Sequence, residues 1–182
     1  MFSVVIMIAL MGFWQADGYI MDYMNERSVP GKCPGQFKES AGICYYFSSS
    51  NNEMVTWAKA KERCKEIGGG LGAEYTVGLA ELNFERTWKS DGEMLQKIAK
   101  TDKNHWLGAK GTDRTWTWAT SGRPLALENY AWSIKAPNPL GADNCLVAIV
   151  EILSGSTIKR AYIGNNVCNM TEGIHHFVCQ LF

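Results

Sequence analysis

The chain has 182 residues, enough for one domain with a short extension. Its 18 Lys and Arg residues balance 18 Asp and Glu residues, so bulk charge does not favour a nucleic-acid partner, which usually meets a basic surface. The six cysteines are an even number, which suits three disulfides in a secreted protein, and no CxxC spacing supports a redox pair or a zinc ribbon. Spacing alone does not choose among the pairings.

The amino-terminal segment MFSVVIMIALMGFW is apolar, uncharged and shorter than the about 20 residues that a membrane-spanning helix needs. Small residues at Ala16 and Gly18 fit the small-x-small rule for signal peptidase, but no Lys or Arg precedes them. We predict a cleaved signal peptide over residues 1–18 and hence secretion; the alternative is a short anchor or a buried strand. No other segment predicts a membrane span. Residues 19–32 are interpreted as a polar leader before a domain over residues 33–182.

The first part of this domain predicts a strand and then a helix. Ile43, Tyr45 and Phe47 alternate with smaller or polar positions, as in a half-buried strand. The stretch SSSNNEMVTWAKAKERCKEIGGG begins with Ser and Asn and ends in glycines, as helices often do. Spacings of three and four residues place four side chains on one helix face: Trp57, Ala60, Cys64 and Ile67.

A second helix is predicted within residues 79–98, with Asp91-Gly92 as a potential break. The sequence then changes to short, apolar, β-prone segments, which are NHWLGAK, RTWTWAT, NCLVAIVEI, STIKRAYIG and IHHFVCQLF. Residues 119–144 form a long segment rich in Pro, Gly and Asn, and a loop of that length is usually functional or disordered. Two helices followed by strands around a long loop predict an α+β fold.

Five motifs occur in chain order between Cys33 and Cys179. They are W-x-x-A-x-x-x-C from Trp57 to Cys64, Trp106-Leu107-Gly108, Trp116-Thr117-Trp118, a long loop from Trp132 to Cys145, and a closing segment from Cys168 to Phe177-Val178-Cys179. Each motif alone is weak. Together, and in this order, they resemble the C-type lectin-like domain family over nearly the whole predicted domain.

This resemblance implies both a fold and a disulfide pairing. The implied fold is α+β, with two helices flanking antiparallel sheets and a long ligand loop. The implied pairs are Cys64 with Cys179, Cys145 with Cys168, and an additional pair of Cys33 with Cys44. It also implies core positions for Trp106 and Trp118, while Trp116 and Trp132 remain open between core packing and stacking on a sugar.

In sugar-binding members of the family, the long loop holds calcium. The ligands are a Glu-Pro-Asn or Gln-Pro-Asp triplet, an acidic residue two before the next cysteine, and an Asn-Asp pair on the following strand. The corresponding residues here are Ala136-Pro137-Asn138, Asp143 and Gly164-Asn165. Calcium takes about 6–8 oxygen ligands, and here Asn138, Asp143 and Asn165 supply side-chain oxygens with one full negative charge. We predict a weak or absent calcium site. For Asn138, Asp143 and Asn165, a residual ligand role and ordinary turn chemistry are equally favoured.

The resemblance implies a secreted, non-enzymatic recognition module that binds a glycan, a glycoprotein or a protein surface. The candidate ligand-binding residues are Asn138, Asp143, Asn165, Trp132 and Glu128. The alternative is a calcium-dependent, mannose-type lectin in which other oxygens, from Glu128, Asn129 or Asn144, replace the missing ligands.

A secreted enzyme has the least support, because no nucleophile stands beside a base in a recognisable motif. His175 and His176 precede Cys179 and suggest zinc, but adjacent residues of a strand point to opposite faces, and Cys179 is expected to be oxidised. The sequon Asn169-Met170-Thr171 predicts N-glycosylation of a connection between strands.

Overall fold

The computed structural model describes residues 33–112, 115–125, 144–152, 155, 157–169 and 174–182. Within these residues lie two α-helices, α1 (Trp57–Gly69) and α2 (Phe84–Ala99). The strands are β1 (Lys38–Ser40), β2 (Ile43–Phe47), β3 (Val77–Leu79), β4 (His105–Thr112), β5 (Thr115–Trp118), β6 (Asn144–Ile152), β7 (Lys159–Val167) and β8 (His176–Leu181). The predicted α+β class is confirmed.

The strands form one sheet in the order β1-β2-β8-β4-β6-β7, with β3 paired to β8 and β5 paired to β4. The pairing of β4 with β8 is parallel, with His105 opposite His176 and Trp106 opposite Phe177. The other strand pairs are antiparallel. The sheet is therefore mixed rather than purely antiparallel, because a crossover through the long loop and the β6–β7 hairpin separates β4 from β8 along the chain.

Helix α1 begins after Thr56, whose Oγ1 accepts a hydrogen bond from the Lys59 N–H at 3.5 Å. The predicted start at Ser and Asn is too early, because Ser50 instead caps a short 3₁₀ turn at Asn51–Glu53. Of the predicted face, three side chains are buried and one is half-buried: Trp57, Ala60 and Cys64, then Ile67. This face packs on β3 so closely that a Cβ on Gly68 would lie 2.8 Å from Val77.

Helix α2 continues through Asp91-Gly92, so the predicted break is wrong. Asp91 is fully buried, and its Oδ2 accepts a hydrogen bond from the N–H of Asn83 at 2.6 Å. The carboxylate therefore fixes the residue that precedes the helix instead of ending the helix. Gly92 has open space around its Cα, and a helix tolerates one glycine at a cost of about 1 kcal/mol relative to Ala.

The buried side chains form one cluster on each face of the sheet. The α1 cluster consists of Phe37, Cys44, Trp57, Ala60, Cys64, Val77, Leu79, Trp106, Cys145, Val147, Cys168, Phe177, Cys179 and Leu181. The α2 cluster consists of Tyr45, Ala80, Leu82, Met94, Ile98, Leu107, Ala109, Trp116, Trp118, Leu125, Leu146, Ala148, Ile163 and Val178. Neighbouring strand residues enter opposite clusters because side chains alternate along a strand.

This arrangement corrects one expectation and settles another. Strand β2 is present, but both of its faces are covered, since Cys44 belongs to the α1 cluster and Tyr45 to the α2 cluster. The core positions expected for Trp106 and Trp118 are confirmed. Trp116 is also core, with 5% of its surface exposed.

The three disulfides that the resemblance implies are all formed. The Cα–Cα distances are 5.6 Å for Cys33–Cys44, 5.4 Å for Cys64–Cys179 and 5.0 Å for Cys145–Cys168. In the described part of the chain, no cysteine is free. All six half-cystines belong to the α1 cluster or pack against it.

Candidate functional site

The candidate site is the long loop between β5 and β6. Four predicted positions in it, Glu128, Trp132, Asn138 and Asp143, lie outside the described residues, which omit 126–143. Their roles stay predictions. The structure does describe the two points where this loop leaves and rejoins the sheet, and those points determine what the loop is built on.

The buried carboxylate of Glu81 anchors the chain just before the loop. Glu81 Oε1 accepts hydrogen bonds from the N–H groups of Thr120 at 3.0 Å and Ser121 at 2.9 Å. Its Oε2 lies 3.4 Å from Arg123 Nη2, and only 1% of the Glu81 side chain is exposed. One carboxylate therefore binds two backbone donors and one cation, which fixes the turn that follows β5.

Backbone pairing continues this anchoring up to the last described residue before the loop. The N–H of Trp118 donates to the carbonyl of Arg123 at 2.9 Å, and the N–H of Leu125 donates to the carbonyl of Trp116 at 2.9 Å. The ring of Trp116 in turn packs on Gly111, where a Cβ would lie 2.3 Å from the ring. The loop thus departs from a segment held by both backbone and core contacts.

The chain rejoins the sheet at Asn144, the first residue of β6. Strands β6 and β7 pair without a break from Asn144 opposite Val167 to Ile152 opposite Lys159. The Cys145–Cys168 disulfide cross-links the same end of these two strands. Both ends of the loop are therefore fixed, an arrangement in which rigid scaffolds commonly present binding loops.

An amide pair lies at this second end. Asn165 on β7 donates a hydrogen bond from Nδ2 to Asn144 Oδ1 at 3.2 Å, and Asn144 is buried. The preceding residue, Gly164, stands opposite Val147 and has no side chain to offer. Of the candidate metal ligands, the structure thus describes only Asn165, and it brings that residue together with Asn144.

Among the described residues, no group of three or more His, Cys, Asp or Glu side chains could hold a metal ion. His175 and His176 point to different neighbours, as expected for adjacent strand residues. The ring of His175 lies 4.6 Å from Trp106, the ring of His176 lies 5.5 Å from His105, and Cys179 is in a disulfide.

The predicted glycosylation residue Asn169 follows Cys168 in a turn and is exposed. Thr171 of the sequon lies outside the described residues. An exposed asparagine in a turn is accessible to a transferase, so the geometry at Asn169 is compatible with the sequon.

Sequence reasoning missed two buried polar groups. One is Glu81, whose only signal is a lone carboxylate within the apolar run VGLAEL. The other is the pair formed by His105 and His176. The sequence signal for His105 is its position in the strand: it alternates with Leu107 and Ala109 and so faces the same side of the sheet.

Comparisons with curated proteins give three relatives of low identity. The chain is 25% identical over 129 residues to a perlucin-like protein of Mytilus galloprovincialis, covering 70% of this chain and 74% of the relative. It is 29% identical over 118 residues to CD209 antigen-like protein A of Mus musculus and 28% over 114 residues to E-selectin of Bos taurus. The matches span only 42% and 20% of these two proteins. No protein-family model matches the chain.

Solved structures share its fold. The C-type lectin CEL-I of Cucumaria echinata superposes with a TM-score of 0.58 at 14% identity, over 84% of this chain and 99% of the other. TC14, a C-type lectin of the tunicate Polyandrocarpa misakiensis, gives 0.53 at 16% identity over 75% and 96%. Human lithostathine gives 0.55 at 21% identity over 82% and 90%. At such identities the likeness concerns the fold.

Proposed function

The chain folds as a C-type lectin-like domain, and we propose that this domain, residues 33–182, is a secreted recognition module that binds a carbohydrate or a protein surface. The binding surface is the part of the long loop that contains Glu128, Trp132, Asn138 and Asp143, together with Asn165. The observation that carries this proposal is the fixing of both loop ends, by Glu81 before the loop and by the Cys145–Cys168 disulfide after it. The function needs no catalytic group.

We further propose that calcium binds this loop weakly or not at all. Carboxylates provide much of the affinity of a calcium site, and on β7 the two positions in question carry Gly164 and Asn165. The Asn165 amide already donates to Asn144. With Ala136 in the triplet, we expect a dissociation constant of about 10⁻⁴–10⁻³ M or weaker.

Calorimetric titration of calcium tests this part of the proposal. At 1 mM calcium the wild-type unfolding free energy should rise by at most about 1.4 kcal/mol, because RT ln(1 + [L]/Kd) stays small when Kd is about 10⁻⁴ M or weaker. The variant with Ala136→Glu, Gly164→Asn and Asn165→Asp restores the missing oxygens. It should gain calcium-dependent stability and chelator-sensitive binding to mannose-type sugars.

A charge-neutral triple variant, with Ala136→Gln, Gly164→Asn and Asn165→Gln, is the matched control and should gain much less. Micromolar calcium binding by the wild type would contradict the weak site. The absence of any gain in the restored variant would contradict the preserved scaffold, while leaving recognition without calcium intact.

A calcium-dependent, mannose-type lectin is the second candidate, and the Asn144–Asn165 contact favours it. Their side chains bring two amide groups within 3.2 Å of each other, at the end of the loop where a substitute oxygen is needed. A sugar array read with and without a chelator separates the two functions. In the second function, Asn144→Ala abolishes chelator-sensitive binding; in the first, chelator has no effect on either protein.

Secretion and glycosylation belong to the same proposal. The signal peptide is residues 1–18, so the mature protein starts at Tyr19, and Asn169 carries a glycan. Within the described residues, no helix is long and apolar enough to cross a membrane. Mass spectrometry of protein from the medium of a eukaryotic host should find Tyr19 first and a glycan that Thr171→Ala removes. Recovery of Met1 in that medium would contradict the signal peptide.

A further inference from the structure

Two of the three histidines of this chain are buried side by side. His105 on β4 and His176 on β8 are paired in register, and their ring centroids are 5.5 Å apart. Neither residue exposes more than 1% of its surface. Such a pair is unusual in a core, because each imidazole can acquire a charge near neutral pH.

One ring nitrogen of each histidine has a polar neighbour, and the other does not. His105 Nδ1 lies 2.8 Å from the carbonyl oxygen of Lys103, which can only accept, so Nδ1 carries the proton and Nε2 the lone pair of the neutral ring. His176 Nδ1 lies 3.3 Å from Ser48 Oγ. Among the described residues, neither Nε2 has a hydrogen-bond partner.

The second contact joins the pair to the segment that leads from β2 to α1. Ser48 Oγ accepts a hydrogen bond from the Phe177 N–H at 2.8 Å, and the Ser48 N–H donates to the Phe177 carbonyl at 3.0 Å. Further along, Val55 and His175 exchange two backbone hydrogen bonds of 3.0 and 3.1 Å. The segment 48–55 is therefore held against β8 at both of its ends.

The charged groups near the pair come from the elements packed around it. Just before β4, the Lys103 ammonium donates hydrogen bonds to the Ser49 carbonyl at 3.1 Å and to Asn51 Oδ1 at 3.2 Å, both within the segment 48–55. The 3₁₀ turn contributes the Glu53 carboxylate. Strand β6 places the non-titrating Ala148 opposite His105. The neighbouring His175 faces Trp106 instead.

These surroundings favour the neutral rings. The pKa of His105 is lowered to about 4, mainly by burial and also by the charges of His176 and Lys103, while the Lys103 and Ser48 carbonyls act in the opposite direction. Burial and then Lys103 lower the pKa of His176 as well, against Glu53 and the Ser48 carbonyl. Protonation therefore places a charge in a site that disfavours it.

We propose that the His105–His176 pair is an acid-sensitive latch, which holds the segment 48–55 against β8 while both rings are neutral and releases it when a ring is protonated. His105 takes its proton from solvent at Nε2, because its Nδ1 already carries one. The released state is a local opening and not complete unfolding, because the Cys64–Cys179 disulfide still ties α1 to β8. The latch is independent of what the long loop binds.

The direction of the effect follows from proton linkage. A histidine exposed by opening binds a proton near its ordinary pKa of 6.5, whereas His105 in the closed state does so at about 4. Between these values the open state holds more protons, so acid favours opening. Each histidine contributes at most about a tenfold change in the opening equilibrium per pH unit. Below about pH 4, His105 is protonated in both the closed and the open state and no longer changes the opening equilibrium.

Hydrogen exchange of backbone amides, corrected for the intrinsic pH dependence of exchange, measures this opening. The amides of Ser48, Val55 and Phe177 report on the latch, and Ala60 in α1 is the internal reference. Between pH 6.5 and 4.5, opening at the latch amides should rise about tenfold or more relative to Ala60. This window lies above the range in which Glu53 titrates, since its pKa is lowered to about 2.

Two variants and one spectroscopic measurement make the test decisive. The variant His105→Phe with His176→Phe keeps aromatic rings but should show no pH dependence. Lys103→Met should reduce the size of the response, because the pKa of both rings in the closed state then rises towards 6.5. Should the double variant not fold, nitrogen NMR of the wild-type imidazoles still tests the latch, since the ring of His105 must be neutral at pH 6. A protonated ring at that pH, or latch amides that open equally at pH 6.5 and 4.5, would overturn the proposal.

Discussion

The two clusters of the core are stabilised in different ways, although the same strands contribute to both. All six half-cystines belong to the α1 cluster or pack against it, whereas the α2 cluster, as the structure describes it, contains apolar and aromatic side chains and no cysteine. A disulfide acts mainly by restricting the unfolded chain, and apolar packing acts in the folded state. One protein thus shows both strategies on opposite faces of a single sheet.

The two clusters should therefore be sensitive to different perturbations. Reducing agents should weaken the α1 side, while lost methyl groups should weaken the α2 side, where α2 covers the sheet through Met94 and Ile98. The acid-sensitive pair His105–His176 lies on strand positions that alternate with Leu107 and Val178, on the α2 side. The disulfides and this histidine pair therefore lie on opposite faces of the sheet.

The largest effect should come from removing the longest cross-link. Cys64→Ala with Cys179→Ala opens a loop with a sequence separation of 115 residues and should cost about 4.7 kcal/mol of unfolding free energy. Cys33→Ala with Cys44→Ala, at a separation of 11, should cost about 3 kcal/mol or less. Urea unfolding measures both. Equal losses would show that native contacts, and not the closed loop, determine the stabilisation.

The α2 cluster should respond to cavities instead. Ile98 is fully buried in α2, so Ile98→Ala should cost about 2–5 kcal/mol and Ile98→Val about 0.5–1.5 kcal/mol. The same urea experiment, repeated with reductant, should give unchanged differences between these proteins, because distant sites are additive. A reductant-dependent difference would show that the two clusters are coupled.

Glu81 allows a third test, at the loop end that lacks a disulfide. Glu81→Ala removes a buried carboxylate that accepts hydrogen bonds from the N–H groups of Thr120 and Ser121, and should cost about 1–3 kcal/mol. Glu81→Gln keeps an acceptor for them and should cost less. Exchange at the Thr120 and Ser121 amides should accelerate in the Ala variant, while the Cys145 end remains protected. Acceleration at both ends would mean that the loop ends are not independently anchored.

The smallest effect concerns the start of α1. Thr56→Ala removes the acceptor for the Lys59 N–H, a contact already long at 3.5 Å, and should cost about 0.5–1 kcal/mol. Thr56→Ser retains the hydroxyl and should be close to wild type by thermal unfolding. A loss above that of Ile98→Val would show that this cap is stronger than its distance indicates.

Local periodicity and side-chain spacing made part of this fold predictable. The buried face of α1 and the β-prone segments around Trp106 and Trp118 followed from spacing and composition, and the family resemblance implied the disulfide pairs. The continuity of α2 did not follow, because Asp91 is stabilised by Asn83 eight residues away and not by its immediate neighbours. The parallel pairing of β4 with β8 is likewise a long-range contact without a local signature.

The candidate site was less accessible from sequence. Cys145 and Asn165 could be placed beside the loop because the resemblance supplied a register, and the contact of Asn165 with Asn144 agrees with that register. The role of Glu81 depends on backbone N–H groups about forty residues later in the chain, and no side-chain pattern encodes such a contact. Whether Asn138 and Asp143 bind calcium or a ligand stays a prediction.

The central position of β8 has a consequence for biosynthesis. This strand pairs with β2, β3 and β4, all of which are translated earlier, and β3 has no other partner among the described residues. Cys64 must also wait 115 residues for Cys179, on the order of ten seconds at typical translation rates. During that interval its thiol is reactive and Cys33 and Cys44 are nearby in sequence. Oxidative folding of this chain therefore requires either that Cys33 and Cys44 pair first or that a disulfide isomerase corrects the result.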